Sequence, residues 1–491
     1  MSRTLSKSRY ITGLQCEKRL WLKTWRPQLS SFDESTQRIF SQGTEVGELA
    51  HQYFDGGVLV DFDYKNPDKA IAETEAHLQN GETRIFEAAF KINEVLIVAD
   101  VIERFSASEW CLIEVKSSTR VTDVYIEDLA LQQFVMQQAG LKVGRVEVMH
   151  VTSGCPYEAM ENFFTRTDVT AEVKTILPEV GSQVEALKNV MNSKACPDVS
   201  PGVHCKKPYA CDFYSHCWQG MPEDTIYDIP NLSGNPARLE QLEEAGIVSL
   251  ADIPQGFPLS SKQRHFVDTR VNKKVLINRQ GISKSLASLS YPLYFLDFEA
   301  DNPAIPRFPG HKAFRQYAFQ YSLHILESPD GELQHREFLH TDATTDPQPE
   351  LLQQLLEDIG EEGSIIVWNR SFEKLVLKQL AIHYPEHKPR LNGMVKRLFD
   401  LMKVYAAYYE HLAFKGSYSI KKVLQVICPE LSYDNLKVSG GANAQVAWNK
   451  LIASDSVDER KALEDGLLAY CERDTLAMVE LYRHLITMLK E

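Results

Sequence analysis

The sequence lacks any long hydrophobic run. No apolar stretch approaches the roughly 20 residues that a helix needs to cross a bilayer. The first residues, "MSRTLSKSRYITGLQC", contain no apolar signal core that would direct export. We therefore expect a cytoplasmic protein that does not associate with membranes.

The sequence also lacks an excess of positive charge. Its formal net charge is −14, whereas a protein that coats nucleic acid is usually basic. The acidic balance does not exclude a nuclease, because metal-binding carboxylates add negative charge and a local basic patch still binds phosphate. Residues 1–30 form such a patch. They are either a solvated basic arm or a segment that contacts DNA.

Closely spaced cysteine pairs are also missing, although there are nine cysteines. In a cytoplasmic protein they are free thiols or metal ligands rather than disulfides. Cys205, Cys211 and Cys217 are each separated by five residues, wider than the spacing of most zinc modules. Cys16 offers a fourth ligand, and iron–sulfur clusters take four cysteines across long gaps in the chain.

Zinc and unligated thiols remain the alternatives to a cluster, and Cys196 is a substitute ligand. The other four cysteines are interpreted as small buried hydrophobic residues: Cys111, Cys155, Cys428 and Cys471.

The length of 491 residues suggests about two to four domains. Composition and motifs divide the chain into residues 1–222, 223–288 and 289–491. The middle region reads as helices separated by Pro and Gly. Its segment "IPNLSGNPARLEQLEEAGIVSLADIP" weakly resembles a helix-hairpin-helix motif, which contacts DNA backbone, and the alternative is a plain helical spacer. We expect an α/β protein with two catalytic-type domains around this linker.

In the first region, "EVLIVADVIERF" and "WCLIEVKSS" predict two strands joined by the turn "FSASE". Glu114 and Lys116 are two apart and share one face of the second strand. In a hairpin, Asp100 comes beside Glu114. Two carboxylates hold a divalent metal, and a lysine beside them orients water or balances phosphate charge. The simpler alternative is a surface ion pair between Glu114 and Lys116.

This pattern resembles the PD-(D/E)XK nucleases, in particular their RecB-like branch. The resemblance implies that Asp100 and Glu114 bind magnesium or manganese and that Lys116 serves the attacking water. A helix follows in the family with a supporting Gln, and here "YIEDLALQQFVMQQAG" supplies Gln132 or Gln133, with Gln132 near the nucleic acid. The family's upstream histidine is replaced by Gly in "QGTEVGELAH", which leaves His51 or Glu48 as candidates.

RecB-like nucleases of the CRISPR-associated and helicase–nuclease type carry one cysteine before the nuclease core and three after it. They bind a [4Fe–4S] cluster there. The order Cys16, nuclease motif, Cys205, Cys211, Cys217 is similar. The resemblance therefore implies a [4Fe–4S] cluster on these four residues.

The third region opens with "YFLDFEA", an apolar strand that contains two carboxylates. Asp297 and Glu299 share one face, and Tyr294, Leu296 and Phe298 point to the opposite face and a core. Two like charges on a buried strand repel each other and lose hydration, and a bound cation offsets that cost. Farther along, "GSIIVWNRSFEKLVLKQL" predicts a strand that runs into a helix.

The last segment, "LLAYCERDTLAMVELYRHL", predicts an amphipathic helix on which Tyr470 and Asp474 are four apart and share a face. The set of motifs resembles the DnaQ-like DEDD exonucleases, which have a ribonuclease H-like fold. The resemblance implies that Asp297, Glu299, Glu373 and Asp474 bind one or two divalent metals and that Tyr470 orients water for 3′-to-5′ hydrolysis. The second motif ends in Glu373 where the family has Asp. Asp400 is either a further acid of this site or a residue with a helix-capping or structural role.

"GSYSIKKVL" and the whole layout resemble an uncharacterised bacterial family in which such an exonuclease-like domain follows the iron–sulfur domain. The resemblance implies a fusion of two nuclease folds, and we expect a metal-dependent DNA nuclease with two potential active sites that acts on single strands or duplex ends, in repair or defence. The alternatives are a nucleic-acid-binding protein with an inactive second site, or an exonuclease that processes RNA. No GxxxxGK[ST] motif is present, so unwinding requires a helicase partner.

Overall fold

The computed structural model describes residues 4–31, 34–433, 435–438 and 440–491. The chain forms two compact units. The first contains residues 1–220 and 303–314, and the second contains residues 221–302 and 315–491. Both mix helices with sheets, so the general α/β class is confirmed.

The first unit is built on one mixed sheet with helices on its faces. Its strands are β1 (Leu5–Ser6), β2 (Val58–Leu59), β3 (Arg84–Ile92), β4 (Val95–Arg104), β5 (Trp110–Lys116), β6 (Val143–Val151) and β7 (Phe164–Asp168). Its helices are α1 (Lys7–Gln15), α2 (Glu17–Trp25), α3 (Glu34–His51), α4 (Pro67–Gln79), α5 (Asp123–Gln138), α6 (Thr170–Asn192) and α7 (Tyr214–Cys217).

The strand order of this sheet is β2-β3-β4-β5-β6-β7, and β1 pairs in parallel with β4. Strands β3, β4 and β5 are antiparallel neighbours, whereas β5 and β6 are parallel. Leu112 packs in the apolar cluster that contains α5 and α6 residues, and Ile113 and Val115 pack in a second cluster with residues of α3. Alternation along β5 therefore places Glu114 on the face opposite Ile113 and Val115, as predicted, and this face is on the α5 side.

The second unit combines a five-stranded sheet and a two-stranded sheet with helices. Its strands are β8 (Leu276–Ile277), β9 (Leu293–Asp301), β10 (Tyr317–Leu326), β11 (Leu333–Leu339), β12 (Ser364–Val367), β13 (Leu398–Asp400) and β14 (Tyr409–Glu410). Its helices are α8 (Pro236–Glu244), α9 (Ser261–Val271), α10 (Arg279–Leu286), α11 (Pro347–Asp358), α12 (Arg370–His383), α13 (Lys388–Arg397), α14 (Leu401–Tyr408), α15 (Ile420–Ile427), α16 (Gly441–Ala453) and α17 (Val457–Lys490).

The main sheet of this unit has the order β11-β10-β9-β12-β13. The first three strands are antiparallel, and β9, β12 and β13 run parallel. Tyr294, Leu296 and Phe298 pack in one apolar cluster, while Phe295 packs in another cluster with α17. The predicted alternation of β9 is confirmed, and it directs Asp297 and Glu299 towards α17.

Two segments differ from the predicted division of the chain. Residues 223–288, predicted as a linker, contain helices but belong to the second unit, where β8 pairs with β14. Residues 303–314, from between β9 and β10, belong to the first unit, where Ala304 and Ala313 join its core. Within the described residues, none of the helices has the length and apolar character needed to span a bilayer.

Candidate functional site

The predicted carboxylate pair of the first unit comes together across two strands. The register of β4 and β5 pairs Val101 with Ile113, so Asp100 and Glu114 are the next facing positions. The amide of Val115 donates to Asp100 Oδ2 at 2.7 Å. Lys116 Nζ donates to Glu114 Oε1 at 2.5 Å. The hairpin therefore brings Asp100, Glu114 and Lys116 to one site.

Helix α5 supplies two more polar groups to this site. Gln132 Nε2 donates to Glu114 Oε2 at 2.7 Å and to Asp128 Oδ1 at 3.3 Å. Lys116 Nζ also lies 3.4 Å from Asp128 Oδ2. Gln132, rather than Gln133, therefore orients the Glu114 carboxylate. Asp128 was missed by the sequence analysis, although it lies one helical turn before Gln132 and thus on the same face.

Lys7 is a member of the site that the sequence analysis did not assign. Its Nζ donates to both Glu114 oxygens, at 3.0 and 3.1 Å, and lies 3.8 Å from Asp100 Oδ1. Pairing of β1 with β4 sets the start of α1 beside the carboxylates. Arg19 likewise forms an ion pair, with Asp212. For Lys7 and Arg19, the alternative of a solvated basic arm is therefore wrong. The Lys7 ammonium lies between the two carboxylates.

The charges of this site are strongly coupled. Burial raises the pKa of Asp100 to about 6, and the neighbouring Glu114 adds to the rise. Burial acts in the same direction on Glu114, but Lys116 and Lys7 reverse it and hold its pKa well below the usual range. Glu114 is therefore ionised at neutral pH, and of these two carboxyls Asp100 takes up a proton first on acidification.

Glu87 lies on the neighbouring strand and adds a further acid to Asp100, Glu114 and Asp128. Burial, followed by the charge of Asp100, raises its pKa to about 7. Its backbone has φ of +55°, a left-handed conformation that is costly for a non-glycine residue. His51, a candidate upstream residue, packs its ring against Phe86 with centroids 4.6 Å apart. The pKa of Glu87, on the adjacent strand, therefore depends on the charge of Asp100. No sequence pattern had indicated this residue.

The four predicted cluster ligands line one cavity of the first unit. Cys16 lies between α1 and α2, and Cys217 ends α7. Both line the cavity with Cys205 and Cys211, and His204 lines it as well. Cys196 is exposed. The remaining cysteines are buried, as predicted: Cys111, Cys155, Cys428 and Cys471.

The compact groups of metal-type side chains lie outside the cysteine cavity. In the described part of the chain, two groups of three or more metal-type side chains have ligand atoms within 4.8 Å of one another, and neither includes a cysteine. One group is Asp297, Glu299 and Asp474 of the second unit. The other combines two histidines with a glutamate and is described below. The carboxylates of β9 and α17 therefore converge on a volume the size of a metal ion.

Burial and mutual repulsion hold these acids close to protonation. Burial, then Asp474 and Glu299, raises the pKa of Asp297 well above its usual value. Burial and Asp474 raise the pKa of Glu299 to about 8. Burial raises the pKa of Asp474 to about 6, although two tyrosine hydroxyls and Lys421 oppose the rise. Without a cation, the group carries much less charge than three carboxylates in water, and a divalent ion would relieve the repulsion.

Two tyrosines and a lysine complete the second site. Tyr433 donates to Asp474 Oδ1 at 2.5 Å and fixes that carboxylate. Burial and the Asp474 charge keep the pKa of Tyr470 high, so its hydroxyl remains a donor. Lys421 Nζ lies 5.2 Å from the ring centroids of both tyrosines. Tyr433 and Lys421 were not predicted, although Lys421 lies in the segment "GSYSIKKVL".

Glu373 lies at the start of α12, beyond the end of β12, and is not in the compact group. Asn369 caps this helix by accepting from the Ser371 amide at 3.2 Å. Burial raises the pKa of Glu373 to about 8, and its Oε2 is buried without a hydrogen bond from the described residues. Asp400 accepts from the Lys403 amide at 3.1 Å and caps α14, which is one of its two predicted roles. The unpaired Glu373 oxygen is the atom of this site that most needs a cation or a donor.

The raised pKa values predict a pH dependence of stability. Glutamates ionise near pH 4 in the unfolded chain. Between about pH 4.5 and 8, the folded protein therefore binds more protons at Glu299 and Glu373 than the unfolded chain, and stability falls as pH rises. Calorimetry without divalent ions should show this fall, and manganese should raise the melting temperature more at pH 8 than at pH 5.5. Glu299→Gln should flatten both trends, whereas the exposed control Glu430→Gln should not; equal slopes in both variants would contradict the assignment.

Comparison with known proteins gives one family match. A family model described as a domain of unknown function, DUF2779, matches residues 294–419. The matched segment includes Asp297, Glu299 and Glu373 and ends before Tyr470 and Asp474. No curated protein matches the chain significantly. Residues 294–419 are thus similar to the DUF2779 domain, whose description assigns no function.

Proposed function

We propose that this protein is a metal-dependent nuclease with two active sites, one in each unit. The observation that carries the proposal is the convergence of the half-buried Asp297 with the buried Glu299 and Asp474, carboxylates from a strand and a helix, in one compact group. Soluble proteins rarely bury unpaired carboxylates together, and the cost is offset when they bind divalent cations. The second unit would then be a DnaQ-like exonuclease domain of ribonuclease H-like fold.

The residues of the second site fit one or two magnesium or manganese ions. Asp297, Glu299 and Asp474 would hold them, and the buried Glu373 oxygen is available nearby. When bound, such ions stabilise the charge on the attacking and leaving oxygens of a phosphodiester. Tyr433 holds the Asp474 carboxylate, and the Tyr470 hydroxyl orients water for 3′-to-5′ hydrolysis. Lys421 adds the positive charge that balances a phosphate.

For the first unit we propose a PD-(D/E)XK nuclease fold of the RecB-like type. Asp100 and Glu114 would hold a magnesium or manganese ion, Gln132 keeps Glu114 in place, and Lys116 serves the water. The site fits a cation less completely, since the Lys7 ammonium already neutralises Glu114. For a metal ion to bind between the carboxylates, the Lys7 ammonium would move away from them. Alternatively, Lys7 would stay in the site and contact the substrate phosphate.

The cysteine cavity supports a [4Fe–4S] cluster held by Cys16, Cys205, Cys211 and Cys217. A cluster of four irons is larger than a single ion, so its ligands surround a cavity rather than meet at a point. A zinc site that uses thiolates and the His204 imidazole is the alternative. The cluster would join the start of the first unit to its end and stabilise the unit.

We expect anaerobically purified protein to be brown and to contain about four irons per chain. Cys16→Ala should lose both iron and solubility, because the ligands connect distant parts of the unit. Cys428→Ala, a buried cysteine of the second unit, is the matched control and should retain iron. Stoichiometric zinc without iron, or full iron in Cys16→Ala, would show that the assignment is wrong.

The substrate is proposed to be DNA, as single strands or duplex ends, with RNA as the alternative. Digestion of end-labelled single- and double-stranded DNA and RNA, with magnesium or manganese, tests the proposal. Metal-dependent cleavage of DNA supports it, and cleavage of RNA alone favours the RNA-processing alternative. If every substrate stays intact but binds, the protein is a nucleic-acid-binding protein with inactive sites.

A further inference from the structure

A second compact ligand group lies on the second unit's sheet, apart from the carboxylate site. His324 of β10 and His335 of β11 are directly paired across the two strands. Their rings are stacked with centroids 4.6 Å apart. One ligand atom from each histidine and one from Glu472 of α17 lie within 4.8 Å of one another. Three elements thus contribute one metal-type side chain each.

A chain of hydroxyl groups fixes the protonation of both rings. Thr475 Oγ1 donates its only proton to the Glu472 carbonyl oxygen, 3.0 Å away. It therefore accepts from Ser322 Oγ at 2.7 Å and from His324 Nδ1 at 2.8 Å. Ser322 has then used its proton, so it accepts from His335 Nε2 at 2.9 Å.

The consequence concerns the other nitrogen of each ring. With Thr475 donating to the Glu472 carbonyl, His324 carries its proton on Nδ1 and His335 carries it on Nε2, which leaves lone pairs on His324 Nε2 and His335 Nδ1. Metal-bound histidines in proteins usually donate their second ring N–H to an oxygen, which orients the ring and selects the tautomer. Ser322 and Thr475 already supply those oxygens here. The rings are therefore prepared as neutral ligands.

We propose that His324, His335 and Glu472 bind a transition-metal ion of the zinc type, with a water in the remaining position. Two imidazoles and one carboxylate suit zinc, whereas the all-oxygen group of Asp297, Glu299 and Asp474 suits magnesium or manganese. The bound ion connects α17 to β10 and β11. Because Glu472 is two residues before Asp474, the same ion fixes the helix that carries the carboxylate site. This inference does not depend on nuclease activity.

The test is a cobalt and zinc titration of the full chain in excess magnesium, after anaerobic dialysis against a chelator. Wild-type protein should bind one more zinc per chain than His335→Gln or Glu472→Gln. Cobalt in that additional site should give visible d–d bands without thiolate charge-transfer absorption, which separates it from the cysteine cavity. Zinc should also raise the melting temperature of the wild type more than that of either variant.

Glu464→Gln, an acid of α17 in an ion pair with Lys461, is the matched control and should bind as many zinc ions as the wild type. Glu472→Asp keeps a carboxylate and should retain the additional cobalt, which distinguishes ligand loss from helix damage. The proposal is overturned if wild type, His335→Gln and Glu472→Gln bind equal numbers of ions. It is also overturned if Glu464→Gln loses the ion together with Glu472→Gln.

Discussion

Asp297→Asn is expected to reduce 3′-to-5′ shortening of single strands by the second unit about a thousandfold. Removal of one metal-binding carboxylate should raise the barrier by about 4 kcal/mol, since bound ions supply several kcal/mol of charge stabilisation. Burial and the neighbouring acids raise the pKa of Asp297 well above its usual value, so near neutral pH the metal-free protein has to protonate this carboxyl on folding; the neutral Asn removes that cost, and the metal-free protein should melt at a higher temperature. Activity and melting temperature, with and without manganese, are the measurements.

The matched control is Asp330→Asn, in the exposed turn between β10 and β11, which should leave both quantities unchanged. An inactive Asp297→Asn that also melts at a lower temperature would indicate a folding defect instead of a lost ligand. Full activity in Asp297→Asn would contradict the assignment of this site. In that case the carboxylates would be a feature of the fold that carries no catalysis.

Lys116→Met is expected to reduce DNA cleavage by the first unit by about a hundredfold or more, the usual contribution of a positioned proton-transfer group. Lys7→Met provides the contrast, because both lysines contact Glu114 but only Lys7 lies between the two carboxylates. Removal of Lys7 should tighten manganese binding, since the competing ammonium is gone. It should also weaken the metal-free fold by on the order of 2 kcal/mol, because Glu114 loses one of its two cations.

Manganese affinity by calorimetry and cleavage in protein inactivated at Asp297 separate the two lysines. If both variants lose cleavage and neither binds manganese more tightly, Lys7 belongs to the catalytic group. If Lys116→Met cleaves as well as the wild type, the PD-(D/E)XK proposal for this unit fails.

Short-range patterns in the sequence predicted much of the candidate site. The two-residue period of β9 placed Asp297 and Glu299 on one face, and the four-residue spacing of α17 placed Tyr470 beside Asp474. The hairpin of β4 and β5 brought Asp100 to Glu114 because the turn between them is short. In each case the geometry is set by residues that are close together in the sequence. The periodicity of strands and helices describes such geometry.

Contacts between distant parts of the chain were not predictable in this way. Lys7 and Glu114 are joined only because β1 pairs with β4, and a two-residue strand has no detectable period. Tyr433 reaches Asp474 from a segment without regular structure, so no spacing rule applies. The histidine pair required the register of β10 against β11, which depends on the turn and on packing.

Digestion of a 5′-labelled single strand by protein inactivated at Lys116 tests the central claim most directly. In this protein cleavage by the first unit is strongly reduced, so shortening from the 3′ end, which the label reports, is expected from the second unit. With magnesium or manganese, the account predicts a ladder of progressively shorter labelled strands that disappears when Asp474 is also changed to Asn. A labelled strand that remains at full length under both metals would contradict the claim that the second unit is an exonuclease.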